Sequence, residues 1–166
     1  MGMKRDGMGD EFDVARLLEQ KKLHVTTAES CTGGLIAGAL VNVPGISKWF
    51  GDGYVTYSNE AKERLLGVSH ETLETYGAVS EQTAREMAEG AAKAADADVS
   101  VVSTGIAGPD GGTAQKPVGL VYIGCFCKGT VRVERHLFVG DRAQVRTQSV
   151  QAALLLLKMM LEKADE

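Results

Sequence analysis

Three short segments of this 166-residue chain gather the groups that amide or ester chemistry needs: a hydroxyl, a basic amine and closely spaced main-chain N–H donors. The first is Glu29-Ser30-Cys31-Thr32-Gly33-Gly34. It lies where a strand-like stretch gives way to a helix-like one, and N–H groups at a helix start favour an alkoxide or a developing oxyanion. Ser30 is therefore a candidate nucleophile, and the same segment also reads as an ordinary N-cap by Ser30 or Thr32. Cys31 is the rival, but a reactive thiol needs a lowered pKa and a base. No histidine stands within several residues of it, so a buried packing role is expected.

The second segment is Tyr57-Ser58-Asn59-Glu60-Ala61-Lys62. In a helix over residues 60–66, Lys62 sits one turn from Leu65 and Leu66, so its stem shares a face with apolar side chains. Partial burial and the positive end of the helix both disfavour an ammonium, which is how a lysine comes to accept a proton near neutral pH. Tyr57, closing the preceding strand, is placed to hold or relay that proton. The alternatives are a snorkelling Lys62 and a core Tyr57.

The third segment, Thr104-Gly105-Ile106-Ala107-Gly108-Pro109-Asp110-Gly111-Gly112, has glycines that let main-chain N–H groups approach an anion closely. That suits a nucleotide phosphate or ribose, with a plain surface loop as the alternative. Neither a Walker loop nor a Gly-x-Gly-x-x-Gly fingerprint is present. His24, His70 and His136 form no triad or metal spacing, and Cys125 and Cys127 share a strand face without a third ligand nearby, so no metal or other cofactor is expected.

The elements that must position these segments follow from periodicity. Helices are predicted over residues 10–22, 35–41, 60–66 (capped by Ser58 or Asn59) and 69–76. A further helix starts from Ser80 as N-cap, with Ala84, Met87, Ala88, Ala91 and Ala95 as a small-residue stripe. Asp141 with Gln144 forms a capping box for a last helix running to about 161. Strands are predicted over 24–28, 53–57, 99–104, 119–127 and 131–138, the last two joined by a tight reversal at Lys128-Gly129. Alternation of this kind predicts an α/β fold, a three-layer α/β/α sandwich around a mixed, mainly parallel sheet with an antiparallel hairpin. Ligands of such sheets bind beyond the carboxyl ends of the strands, where all three segments fall.

Length predicts one domain over residues 10–166, and the polar, glycine-bearing residues 1–9 read as a flexible leader. The net charge of -4 argues against nucleic acid as a partner. The most apolar stretch, residues 152–157 and 159–161, is broken by Lys158 and falls short of the roughly 18 to 20 residues a bilayer span needs. It is expected to be a core or subunit-interface helix, with a homodimer as the expected assembly and no membrane partner. Three cysteines without a disulfide framework point to a reducing compartment, hence a cytoplasmic location.

Taken together, these segments resemble the CinA C-terminal domain family, in which single-domain members include a nicotinamide mononucleotide amidohydrolase. The resemblance rests on Thr27-Ala28-Glu29-Ser30-Cys31-Thr32-Gly33-Gly34, on Tyr57 to Lys62, and on Gly77-Ala78-Val79-Ser80. Residues 105–112, Lys116-Pro117-Val118-Gly119 and Gly140-Asp141-Arg142 complete it, so that it spans residues 11–161. It implies deamidation of the nucleotide's carboxamide to a carboxylate, without metal. It puts the nucleophile on Ser30 and the general base on Lys62, with Tyr57 as their partner. Thr32, Gly33, Gly34, Thr104, Gly105, Ile106, Ala107, Gly108 and Arg142 would then bind substrate, a small nucleotide. A nucleotide-binding or sensor module lacking the chemistry is the competing expectation.

Overall fold

Why the strands form one sheet is plain from their burial. In the computed structural model, which describes residues 9–164, β1 (Val25–Glu29) is buried at every position and β3 (Val99–Gly105) at all but the last. Such strands need cover on both faces. Helices supply it. On one face pack α1 (Asp10–Lys21), α2 (Leu35–Val41) and α6 (Arg142–Glu162), and on the other α3 (Asn59–Leu66), α4 (His70–Tyr76) and α5 (Glu81–Ala95).

The remaining strands are β2 (Phe50–Val55), β4 (Leu120–Cys127) and β5 (Thr130–Leu137), and the sheet order is β2-β1-β3-β4-β5. β1 pairs in parallel with β2 and β3, while β4 runs antiparallel to both β3 and β5. Four of the five strands thus share one direction, and the antiparallel hairpin sits at one edge, as expected. The predicted leader, residues 1–9, lies outside the described residues but for Gly9.

Local chemistry accounts for the helix boundaries. Ser58, Ser69 and Ser80 each accept a main-chain N–H at the start of α3, α4 and α5, and Asp141 with Gln144 closes a full capping box on α6. The small-residue stripe of α5 lets it come close: a Cβ on Gly90 would stand 1.8 Å from the Leu66 carbonyl oxygen that closes α3. That contact fixes α3, and with it Lys62, against α5.

One expectation needs correction. β2 occupies residues 50–55 rather than 53–57, because pairing with β1 outweighs the low strand propensity of Gly51, Asp52 and Gly53. Tyr57 therefore falls beyond the strand. The apolar stretch of α6 buries Ala153, Leu154, Leu156, Leu157 and Leu161 in the chain's own core, leaving Leu155 half exposed. It is thus a core helix, one of the two roles expected of it. Among the described residues no helix is long and apolar enough to cross a membrane.

Candidate active site

β1, β2 and β3 end side by side, and the polar residues at their tips fold inward. Glu29, the last residue of β1, is fully buried. Its carboxylate accepts the Ile36 N–H (2.8 Å), the Ala37 N–H (3.1 Å) and the Thr32 hydroxyl (2.6 Å). An anion is at home there, at the positive end of α2. Thr32 also shares a hydrogen bond of 2.7 Å with Ser103. The turn that carries Ser30 is therefore tied to both neighbouring elements from within.

Ser30 opens that turn. Its N–H donates to the Ser103 carbonyl (3.0 Å), prolonging the β1–β3 ladder by one residue, and its own carbonyl accepts the Gly33 N–H (3.1 Å). Its hydroxyl lies 3.3 Å from Nζ of Lys62, and the same amine donates to the Thr56 carbonyl at 2.9 Å. Lys62 is 1% exposed, and among the described residues no carboxylate is in ion-pair contact with it. Burial pushes its pKa below the ordinary 10.5, with the neighbouring Cys31 opposing weakly. A buried amine beside a hydroxyl, short of the anion that would keep it charged, is a proton acceptor in waiting.

Cys31 behaves as expected of a packing residue: burial lifts its thiol to about 11, so it carries its proton at neutral pH. Cys125 and Cys127 are likewise buried thiols, not joined in a disulfide. Among the described residues no group of histidine, cysteine and carboxylate side chains is placed to hold a metal.

Beside Ser30 and Lys62 opens a cavity of about 290 Å³. Ser30, Cys31, Tyr57, Lys62, Thr104, Gly105, Ile106, Ala107, Gly108 and Arg142 line it, so the structure brings together residues from all three segments picked out above. Thr104 is buried and donates its hydroxyl to the Ala78 carbonyl (2.7 Å), tying the glycine loop to the loop before α5. Arg142, in the first turn of α6, donates to the Gly108 carbonyl (2.8 Å) and to the Tyr57 hydroxyl (3.1 Å).

Three expected substrate contacts are not on the cavity wall. Thr32 is fully buried with its hydroxyl engaged by Glu29 and Ser103, and Gly33 and Gly34 turn the chain behind the wall with φ of +58° and +105°. Cys31 lines the cavity in their place. Tyr57 is also not where a relay needs it: the residue is 63% exposed, its hydroxyl bonds Arg142, and the lysine's second contact is the Thr56 carbonyl. The cause is the earlier end of β2, which carries Tyr57 out onto the rim. Asp110 and Gly111, in the glycine loop expected to face a ligand, are on the wall as well, while Asn59, Ala78 and Val79 line it unforeseen. The buried supports Glu29 and Ser103 also escaped notice. An acidic residue just before a helix start was the available signal for Glu29.

A family profile of the CinA C-terminal domain matches residues 10–161. The chain belongs to this family. Among its relatives, a protein of Clostridium beijerinckii named as competence-damage inducible is 59% identical over 150 residues, covering 90% of this chain and 37% of that protein. One of Clostridioides difficile is 51% identical, with 92% and 37% covered. The chain therefore spans little more than a third of the length of these curated relatives.

Solved structures of CinA superfamily proteins superpose closely. That of a competence/damage inducible protein from Agrobacterium tumefaciens is 45% identical, with a TM-score of 0.86 and coverage of 94% and 98% of the two chains. That of a CinA superfamily protein from Escherichia coli is 40% identical, with a TM-score of 0.86 and coverage of 96% and 99%. The α/β fold with its mixed sheet is thus the fold of the CinA superfamily.

Proposed function

We propose that this CinA-family domain is an amidohydrolase that deamidates nicotinamide mononucleotide to nicotinate mononucleotide and ammonia. The observation that carries the reading is the 3.3 Å approach of the Lys62 amine to the Ser30 hydroxyl in a buried setting, with no carboxylate among the described residues paired to that amine. Neutral Lys62 takes the hydroxyl proton as Ser30 Oγ attacks the amide carbon, forming a C–O bond and placing negative charge on the carbonyl oxygen. Cys31 lines the cavity at the start of the turn, and its main-chain N–H is the donor assigned to that oxyanion. Lys62 returns the proton to the amide nitrogen, the C–N bond breaks and ammonia leaves. Water then cleaves the acyl ester with Lys62 again as base, giving the carboxylate and restoring Ser30.

Recognition of a nucleotide follows from the other wall. Arg142 supplies a fixed cation beside the glycine loop, and Asn59 and Asp110 offer polar groups suited to a phosphate and a ribose. The cavity lies at the lower end of the roughly 300–1,000 Å³ typical of small-ligand sites.

The test is an ammonia-release assay with nicotinamide mononucleotide, nicotinamide, its riboside and NAD. Wild type is expected to turn over the mononucleotide best, and Ser30→Ala to lose at least about 10³-fold in kcat. Saturable binding of the mononucleotide with no ammonia from wild type would replace the enzyme with a nucleotide-binding module.

A further inference from the structure

The nucleophile turn has two carbonyls that its own main chain leaves open, one wholly and one in part. The Ser30 carbonyl takes the Gly33 N–H and the Thr32 carbonyl takes the Leu35 N–H at 3.1 Å, but the Cys31 carbonyl has no main-chain donor and the Thr32 carbonyl has room for a second. Arg146 reaches both from α6: its Nε donates to the Cys31 carbonyl at 3.0 Å and its Nη2 to the Thr32 carbonyl at 3.2 Å. Among the described residues these are its hydrogen-bond partners, and no ion pair competes for it. A guanidinium is a rigid planar fork, so it holds two acceptors in one fixed mutual geometry, where a lysine's donors rotate about its flexible stem.

Peptide planarity turns this into control of direction. A trans peptide whose carbonyl is held toward α6 must aim the N–H of the next residue the opposite way. Arg146 thus fixes the Cys31–Thr32 peptide plane, and with it the main chain next to Ser30, where the left-handed Gly33 and Gly34 would otherwise allow other plane orientations. Glu29 holds the turn from the sheet side and Arg146 holds it from the helix side.

Resting on the serine-hydrolase reading above, we infer that Arg146 is a positioning residue for Ser30, acting through the Cys31 and Thr32 carbonyls without touching substrate. It stands one helical turn beyond Arg142, so a single helix start braces both the glycine loop and the nucleophile turn.

The experiment compares wild type, Arg146→Lys and Arg146→Ala in two assays: ammonia release from nicotinamide mononucleotide, and phosphonylation of Ser30 by an alkyl fluorophosphonate followed by intact mass. Melting temperature is recorded for each. Arg146→Ala is expected to lose about 10²-fold in kcat with KM changed less than about threefold, the size of effect seen when one oxyanion donor is removed. Arg146→Lys should recover part of the loss, and added guanidinium ion should partly rescue Arg146→Ala. A kcat within threefold of wild type, or a loss lying wholly in KM, overturns the inference. If Arg146→Ala fails to fold, Arg146→Lys decides by the same criteria. If wild type releases no ammonia but its Ser30 is phosphonylated, the substrate reading fails alone. The inference then stands on at least tenfold slower labelling in the variants and falls on equal labelling. If wild-type Ser30 reacts in neither assay, both fall together.

Discussion

The two ends of the sheet are built from the same materials and do opposite things. At the parallel end, β2, β1 and β3 stop together, and buried around their tips are Glu29, Ser30, Thr32, Thr56, Lys62, Ser103 and Thr104. Along β4 the buried side chains are Leu120, Val121, Ile123, Cys125 and Cys127, and β5 alternates between half-buried and exposed positions. A hairpin satisfies its own main chain through its partner and its tight turn. β1 and β2 leave the sheet through turns into helices and β3 through the glycine loop, and these connections present uncommitted N–H and carbonyl groups to one shared place. Polar side chains are buried where such groups can hold them, as Glu29 is held by the start of α2.

The sharpest test of that contrast is Lys62→Met. On the proposed mechanism, in which Lys62 is the base, this is expected to lower kcat by about 10²- to 10⁴-fold. In wild type, kcat/KM should rise with pH through an apparent pKa below 10.5, since only the neutral amine accepts the serine proton. Stability gives a second sign. The unfolded chain keeps the lysine proton up to about 10.5 while the folded protein has released it at lower pH, so wild-type stability climbs with pH across that interval. Lys62→Met should therefore be more stable than wild type at the acidic side, with the gap closing as pH approaches 10.5. A gap that stays flat over chemical denaturation curves from pH 6 to 10 would show that the amine is charged in the folded state.

A smaller effect is expected on the rim. Tyr57→Phe removes one hydrogen bond to Arg142 and nothing at Ser30 or Lys62, so steady-state kinetics should show kcat within about threefold. KM should rise by up to about tenfold, the equivalent of one hydrogen bond. A large fall in kcat would return Tyr57 to the proton path. Least of all should happen at the antiparallel end: Arg132→Ala on β5, where the side chain makes a partly exposed ion pair with Glu134, is expected to change stability by less than about 0.5 kcal/mol and leave turnover intact. A change in turnover there would break the division between the two ends.

Much of this was legible beforehand, and the reasons are local. Ser58, Ser69, Ser80 and the Asp141–Gln144 box start helices through bonds that span three residues, so the sequence carries them whole. Ser30 and Lys62 were legible as types: a hydroxyl at a helix start, and a lysine on an apolar face. The position of Tyr57 was not, because β2 takes its limits from a ladder with β1 that lies more than twenty residues away in the chain. Nor was Arg146, whose only meaning lies in carbonyls 115 and 114 residues earlier.

The amino-acid order by itself thus determined the elements, their caps, the family to which the domain belongs and the residue types available for chemistry. Periodicity, capping and turn formation are short-range and need no partner. Tertiary structure alone decided that Lys62 loses its water beside Ser30, that Tyr57 stands on the rim, and that α6 reaches over to hold the turn. Desolvation and peptide orientation depend on what packs from the far side, and that is set by the whole sheet at once.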